Sequence, residues 1–74
     1  MKYMPFEEAL LSMRTGLRLA REATIESVFV QSYYCTLYDG SFYKTYIGNG
    51  LICRMCPNEE DILARDWFVY VEEE

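Results

Sequence analysis

Apolar positions follow two different periods along this chain. Over residues 5–15, Phe6, Ala9, Leu10 and Met13 recur at helical spacing and build one apolar stripe. Pro5 suits the first helical position, and Glu7 and Glu8 fall in the first turn, where the macrodipole favours acids. Arg14 favours the other end, and Gly16 is placed to stop the helix in a left-handed conformation. Leu11 lies off the stripe, where a partner can meet it. Beyond Gly16 alternation takes over. Leu17 and Leu19 share one face and Arg18 and Ala20 the other, which predicts a strand over 17–21 and a loop over 22–26. The strongest strand signal runs over 27–38, where Val28, Phe29, Val30, Tyr33, Tyr34, Thr36 and Tyr38 are β-branched or aromatic. Its apolar groups fall on both faces, so both are expected to be covered.

Turn chemistry divides the remainder. Asp39-Gly40 predicts a type I′ hairpin turn into a strand over 41–47, and Asn49-Gly50 a second such turn into a strand over 51–56. Pro57 ends that strand, Asn58 caps a helical turn over 59–65, and 67–71 is a last strand before the acidic tail. The predicted fold class is α+β. A single antiparallel sheet of about five strands carries the N-terminal helix packed on it and a short second helical turn, all in one domain over 1–74.

A chain of 74 residues can support only a small core, since domains of this size bury roughly 60% of their unfolded surface. Yet 51% of it is hydrophobic and seven residues are tyrosine, more than one small core covers. Tyrosine suits interfaces because its ring is apolar and its hydroxyl bonds. A homo-oligomer, dimer or tetramer, is therefore expected. The net charge of −5 repels nucleic-acid backbones, so DNA and RNA polymers are excluded as general partners. Any anionic ligand must be met by a local arginine cluster. With no membrane span and no secretory h-region in the sequence, a cytoplasmic protein is expected.

Catalysis has little to work with, because histidine is absent and neither Cys-His nor Ser-His pairs can form. Gly48-Asn49-Gly50 reads as a hairpin turn rather than a phosphate loop. Cys53 and Cys56 form a C-x-x-C pair, but with one further cysteine, Cys35, they fall short of the four ligands a structural zinc normally takes. Free thiols, no metal, no cofactor and a non-enzymatic binding role are expected.

Two short signatures at the ends carry more information. Phe6-Glu7-Glu8-Ala9-Leu10, Met13, Gly16 and the strand ending in Arg21 form the first; Asp61-Ile62-Leu63-Ala64-Arg65-Asp66-Trp67 forms the second. Together they resemble the second Thoeris anti-defence family of small phage proteins, well at both ends and loosely between them. Members of that family are sponges that bind and sequester immune nucleotide second messengers. The resemblance implies a cyclic or adenosine-containing nucleotide as ligand, with Arg21 at a position its signature marks. Members commonly carry tryptophans where this chain has Thr24 and Met55, so either tyrosines take over base stacking or the pocket accepts something else.

The residues offer candidates for such a ligand. Arg21 can fork onto a phosphate, or pair with Asp66 or a glutamate and tie the two signatures together. Arg18 and Arg54 are further cations, at the surface. Tyr33 and Tyr34 lead five tyrosines of the central hairpin, and base stacking on an aromatic is worth about 1–3 kcal/mol. Asn58 and Asp61 flank the second helical turn, where they can meet ribose hydroxyls or simply cap the helix. Trp67 reads as a core anchor. The rival reading is a protein–protein inhibitor that docks directly on a host defence effector.

Overall fold

The computed structural model describes residues 2–26 and 31–71, with the side chain of Glu26 left out. Helix α1 (Phe6–Arg14) is followed by β1 (Leu19–Arg21), α2 (Glu22–Glu26), β2 (Tyr33–Tyr38), β3 (Ser41–Tyr46), β4 (Ile52–Arg54), α3 (Glu59–Leu63) and β5 (Trp67–Val69). The five strands form one open sheet in the order β4-β3-β2-β1-β5, antiparallel throughout. The α+β fold with its N-terminal helix on a five-stranded antiparallel sheet is as the hydrophobic pattern predicts.

Local chemistry accounts for most boundaries. Pro5 precedes α1 as its cap, one position earlier than expected, with φ −73° and ψ 166°. Gly16 takes φ +93°, and Gly16 N–H and Leu17 N–H donate to the carbonyls of Met13 and Ser12. That is the Schellman arrangement, which satisfies the last carbonyls of the helix. At the first hairpin both Asp39 (φ 51°) and Gly40 (φ 77°) are left-handed, as a type I′ turn requires.

Several boundaries move. The expected strand over 17–21 begins at Leu19, that over 51–56 narrows to β4, and that over 67–71 to β5. Residues 27–30 of the expected long strand lie outside the described residues. Asn49-Gly50 is not a two-residue type I′ turn: of the pair only Gly50 has positive φ, at +71°. Gly50 N–H instead reaches the Tyr46 carbonyl at 2.8 Å, and Asn49 Oδ1 accepts from Leu51 N–H at 2.9 Å. The asparagine folds the loop through its side chain, giving a four-residue connection between Tyr46 and Leu51.

The larger correction is residues 22–26, expected as a loop and found as α2. Its first N–H groups are met from far away. Glu22 N–H donates to the Asp66 carbonyl at 3.2 Å and Ala23 N–H to Asp66 Oδ2 at 3.1 Å. A cap lying 43 residues downstream leaves no local trace.

Alternation and register sort the side chains into two faces. Leu19, Cys35, Leu37, Phe42, Trp67 and Val69 share the face on which α1 rests. There Ala9, Met13, Leu19, Cys35 and Trp67 make the buried cluster, with Phe6, Leu37, Phe42, Met55 and Val69 packed around it. Met4 adds a bridge to the free edge of β5, exchanging both backbone bonds with Trp67. The other face carries Ala20, Tyr34, Thr36, Tyr43, Thr45, Ile52, Arg54 and Phe68. It is less completely covered than the pattern over 27–38 suggests, since Tyr38 is 74% and Ile52 65% exposed. Among the described residues no helix is long and apolar enough to cross a membrane.

Candidate functional site

The sheet divides the seven residues singled out in the sequence. Arg21, Tyr33, Asn58 and Asp61 belong to the helix-covered side, whereas Tyr34, Arg18 and Arg54 belong to the open one. Adjacent residues of a strand point to opposite faces, so Tyr33 and Tyr34 cannot act in one pocket of one protomer.

On the helix side an ion-pair knot joins the two ends of the chain. Arg21 closes β1 opposite Trp67 of β5. Its Nε donates to Asp66 Oδ1 at 2.9 Å and its Nη1 to Asp61 Oδ1 at 3.0 Å. The Arg21 side chain is 12% exposed and that of Asp61 9%. Asp61 also accepts from Asn58 N–H, while Asn58 Oδ1 accepts from Asp61 N–H at 2.8 Å. This reciprocal capping box starts α3. Trp67 Nε1–H donates to the Asp61 carbonyl at 3.0 Å, so the same turn holds the core tryptophan. Of the two readings open for Asn58, capping is the one present. The Arg21–Asp66 pair is present too, and it engages the guanidinium that a phosphate would need.

The electrostatics of the knot follow from its geometry. Burial works to raise the Asp66 pKa, but bonds from Arg21 and Ala23 N–H outweigh it and hold the carboxyl below its usual range. Burial likewise works to lower Arg21, and its bonds to Asp66 and Asp61 more than restore it. An unfolded aspartate titrates near about 3.9, so the stabilisation from Asp66 is complete above that value and disappears as pH falls through the lower folded pKa. Asp66→Asn should therefore melt below the wild type at neutral pH. Circular-dichroism melts should show the gap shrinking between about pH 5 and pH 2. A gap that stays constant over that range would detach Asp66 from the acid response.

Next to the knot, Lys44 lies over the rings of Tyr33 and Tyr46 at 5.3 and 5.2 Å, and those rings meet edge to face. Its hydrogen bond to Tyr46 comes first among the causes that raise its pKa. Burial pushes the neighbouring Cys35 thiol up to about 12, so it is an inert core group rather than a nucleophile. All three cysteines are free, with Cys35 buried and Cys56 exposed. Among the described residues no group of three or more His, Cys, Asp or Glu side chains could hold a metal ion.

The open face brings cations and rings together. Tyr34 stacks on Tyr70 at 5.4 Å between centroids and 16° between planes. The Arg18 guanidinium lies 5.1 Å from the centre of the Tyr34 ring. The register of β1 with β2 and β5 puts Ala20 between Tyr34 and Phe68, and Tyr70 lies beside Arg18, whose carbonyl accepts its N–H at 2.8 Å. Tyr43 sits opposite Thr36 and Arg54 opposite Tyr43, so one row across the sheet runs Arg54, Tyr43, Thr36 and on to Arg18 and Tyr70. Arg54 Nη2 donates to Ser41 Oγ at 3.1 Å.

Tyr70 and Lys44 are site neighbours that the sequence pattern did not point to, whereas Asp66 as a partner of Arg21 and Tyr43 among the hairpin tyrosines were both expected. Alternation alone places Tyr70 on the face of Phe68. Nothing local says that β5 lies beside β1 and thereby brings that ring to Tyr34. In comparison with known proteins, the chain matches no protein family, no curated protein and no solved structure. What fold and site define together is a small open-sheet α+β domain, stapled by a buried ion-pair knot and bearing an arginine–tyrosine row on its exposed face.

Proposed function

We propose that this chain is a non-catalytic phage anti-defence protein that sequesters a cyclic or adenosine-containing immune signalling nucleotide on its open sheet face. The observation that carries this reading is the coincidence of Arg18 with the stacked Tyr34 and Tyr70, where Arg18 and Tyr70 share a row with Tyr43 and Arg54 and Tyr34 stands in the neighbouring row. Aromatic faces stack on bases irrespective of sequence, and a guanidinium supplies charge for phosphate oxygens. Compared with the sequence-level choice, the weight moves from Arg21 to Arg18 and Tyr34.

Tight sequestration by one shallow face is difficult, and a second copy of the chain would supply the opposite wall. A homo-oligomer in the host cytoplasm is part of the proposal. Sequestration at a Kd of about 10 nM corresponds to about −11 kcal/mol, which calls for several charge-assisted bonds in addition to stacking. The rival reading, a direct inhibitor of a host effector, draws on the exposed apolar groups Leu51 and Ile52 at the β4 edge of the sheet and Tyr38 at the β2–β3 hairpin.

A thermal-shift screen over cyclic di- and trinucleotides and cyclic ADP-ribose isomers tests the proposal. A ligand at 100 times its Kd should add about 2.7 kcal/mol to stability. Tyr34→Ala should then weaken binding by about 1–3 kcal/mol while the protein stays folded. A host protein captured without any nucleotide response would favour the inhibitor instead.

A further inference from the structure

A groove of about 420 Å³ opens on the opposite side of the molecule, between α1, the turn of the β2–β3 hairpin and α3. Its walls are Phe6, Leu10, Leu37, Phe42 and Ile62, and among the described residues Arg14 is the one charged residue that lines it. The floor is part of the folded core, since Phe6 lies 6.3 Å from Phe42 and both pack against the buried cluster. The rim is not covered: Ile62 is 51% exposed. Gly40 contributes to the wall without a side chain, and nothing lies within 4 Å of where its Cβ would be. Arg14 ends α1 and makes no ion pair among the described residues, although the chain as a whole is strongly acidic.

An apolar cavity of this size with one orienting polar group has the form of a small-molecule site. The charge then selects the occupant. In a chain of net charge −5, a cation that is unpaired among the described residues and stands beside an apolar hollow is complementary to one anionic head attached to an apolar body. We propose that this groove binds a small amphipathic monoanion, its ring or chain lying against Phe6, Phe42 and Ile62 and its carboxylate or sulfonate on Arg14. The site is independent of the nucleotide reading, because Tyr34, Tyr43 and Arg18 occupy the other face of the sheet.

The intact chain can be titrated with anilinonaphthalene sulfonate, followed by competition with decanoate and decanol. One saturable dye site per chain is expected. Amide chemical shifts should move at Leu10, Arg14, Phe42 and Ile62 and stay still at Tyr34 and Tyr43. Arg14→Glu should weaken the dye by about tenfold or more, the scale of one lost charge-assisted bond, while the protein still melts cooperatively a few degrees lower at most. Ile62→Glu should weaken it similarly, and decanoate should compete better than decanol. Shifts confined to the sheet face, equal competition by decanol, or full affinity in both variants would overturn the proposal. So would a fall in sedimentation coefficient on Ile62→Glu, because the groove would then be the seat of a second copy.

Discussion

Arg21→Ala is expected to lower stability by about 3 kcal/mol, the low end of the cost of breaking a buried ion pair, and the melting temperature by on the order of 15 °C. The low end applies because the Asp66 side chain is still 26% exposed. Removing the guanidinium leaves Asp61 and Asp66 facing each other with no cation between them, at the point where β1, α2, α3 and β5 converge. Asp66→Ala should cost nearly as much, because it removes the Arg21 bond and also the cap of α2 at Ala23 N–H. The double variant should be much less damaging than the two losses added together, since both act on one network. Chemical denaturation of the three variants measures the coupling. Simple additivity would mean that the two residues act separately. A folded Arg21→Ala protein with wild-type melting and lost nucleotide affinity would return Arg21 to the ligand site.

Trp67→Ala should abolish cooperative folding. The side chain is 2% exposed, packs on Phe6 at 5.7 Å between centroids, and belongs to the small buried cluster with Ala9, Met13, Leu19 and Cys35. Truncating a buried tryptophan costs about 3–5 kcal/mol. At about 0.05–0.15 kcal/mol per residue, a chain of this length has about 4–11 kcal/mol to lose, and its small core puts it toward the low end. Trp67→Phe keeps most of the ring but leaves the Asp61 carbonyl without its Nε1–H donor. It should cost about 1–3 kcal/mol and still melt cooperatively. A two-state melt in Trp67→Ala near the wild-type midpoint would show that the core lies elsewhere.

Local signals on this chain act through neighbours three or four residues away, and these were legible. The stripe Phe6, Ala9, Leu10, Met13 made α1, the left-handed Gly16 ended it, and the Asp39-Gly40 turn set the β2–β3 register. Even the splitting of the candidate site follows from parity. Arg18 and Arg21 stand an odd number of places apart, as do Tyr33 and Tyr34, so alternation sends the members of each pair to opposite faces.

Partners across the sheet were only partly legible: Asp66 stood as one of two readings for Arg21, whereas Tyr70 beside Tyr34 could not be read, because pairing between β1 and β5 depends on contacts separated by most of the chain. That pairing sets Arg21 against Asp66 and Tyr70 beside Tyr34. It also makes α2, whose first N–H groups find their acceptors only after Asp66 arrives from the far end. The sequence by itself therefore determined the elements, their alternation and the fold class, all governed by short-range sterics and hydrogen bonding. Only the tertiary structure decided which arginine is locked in a knot and which lies over a tyrosine, since strand order is settled by how the assembled core buries Trp67.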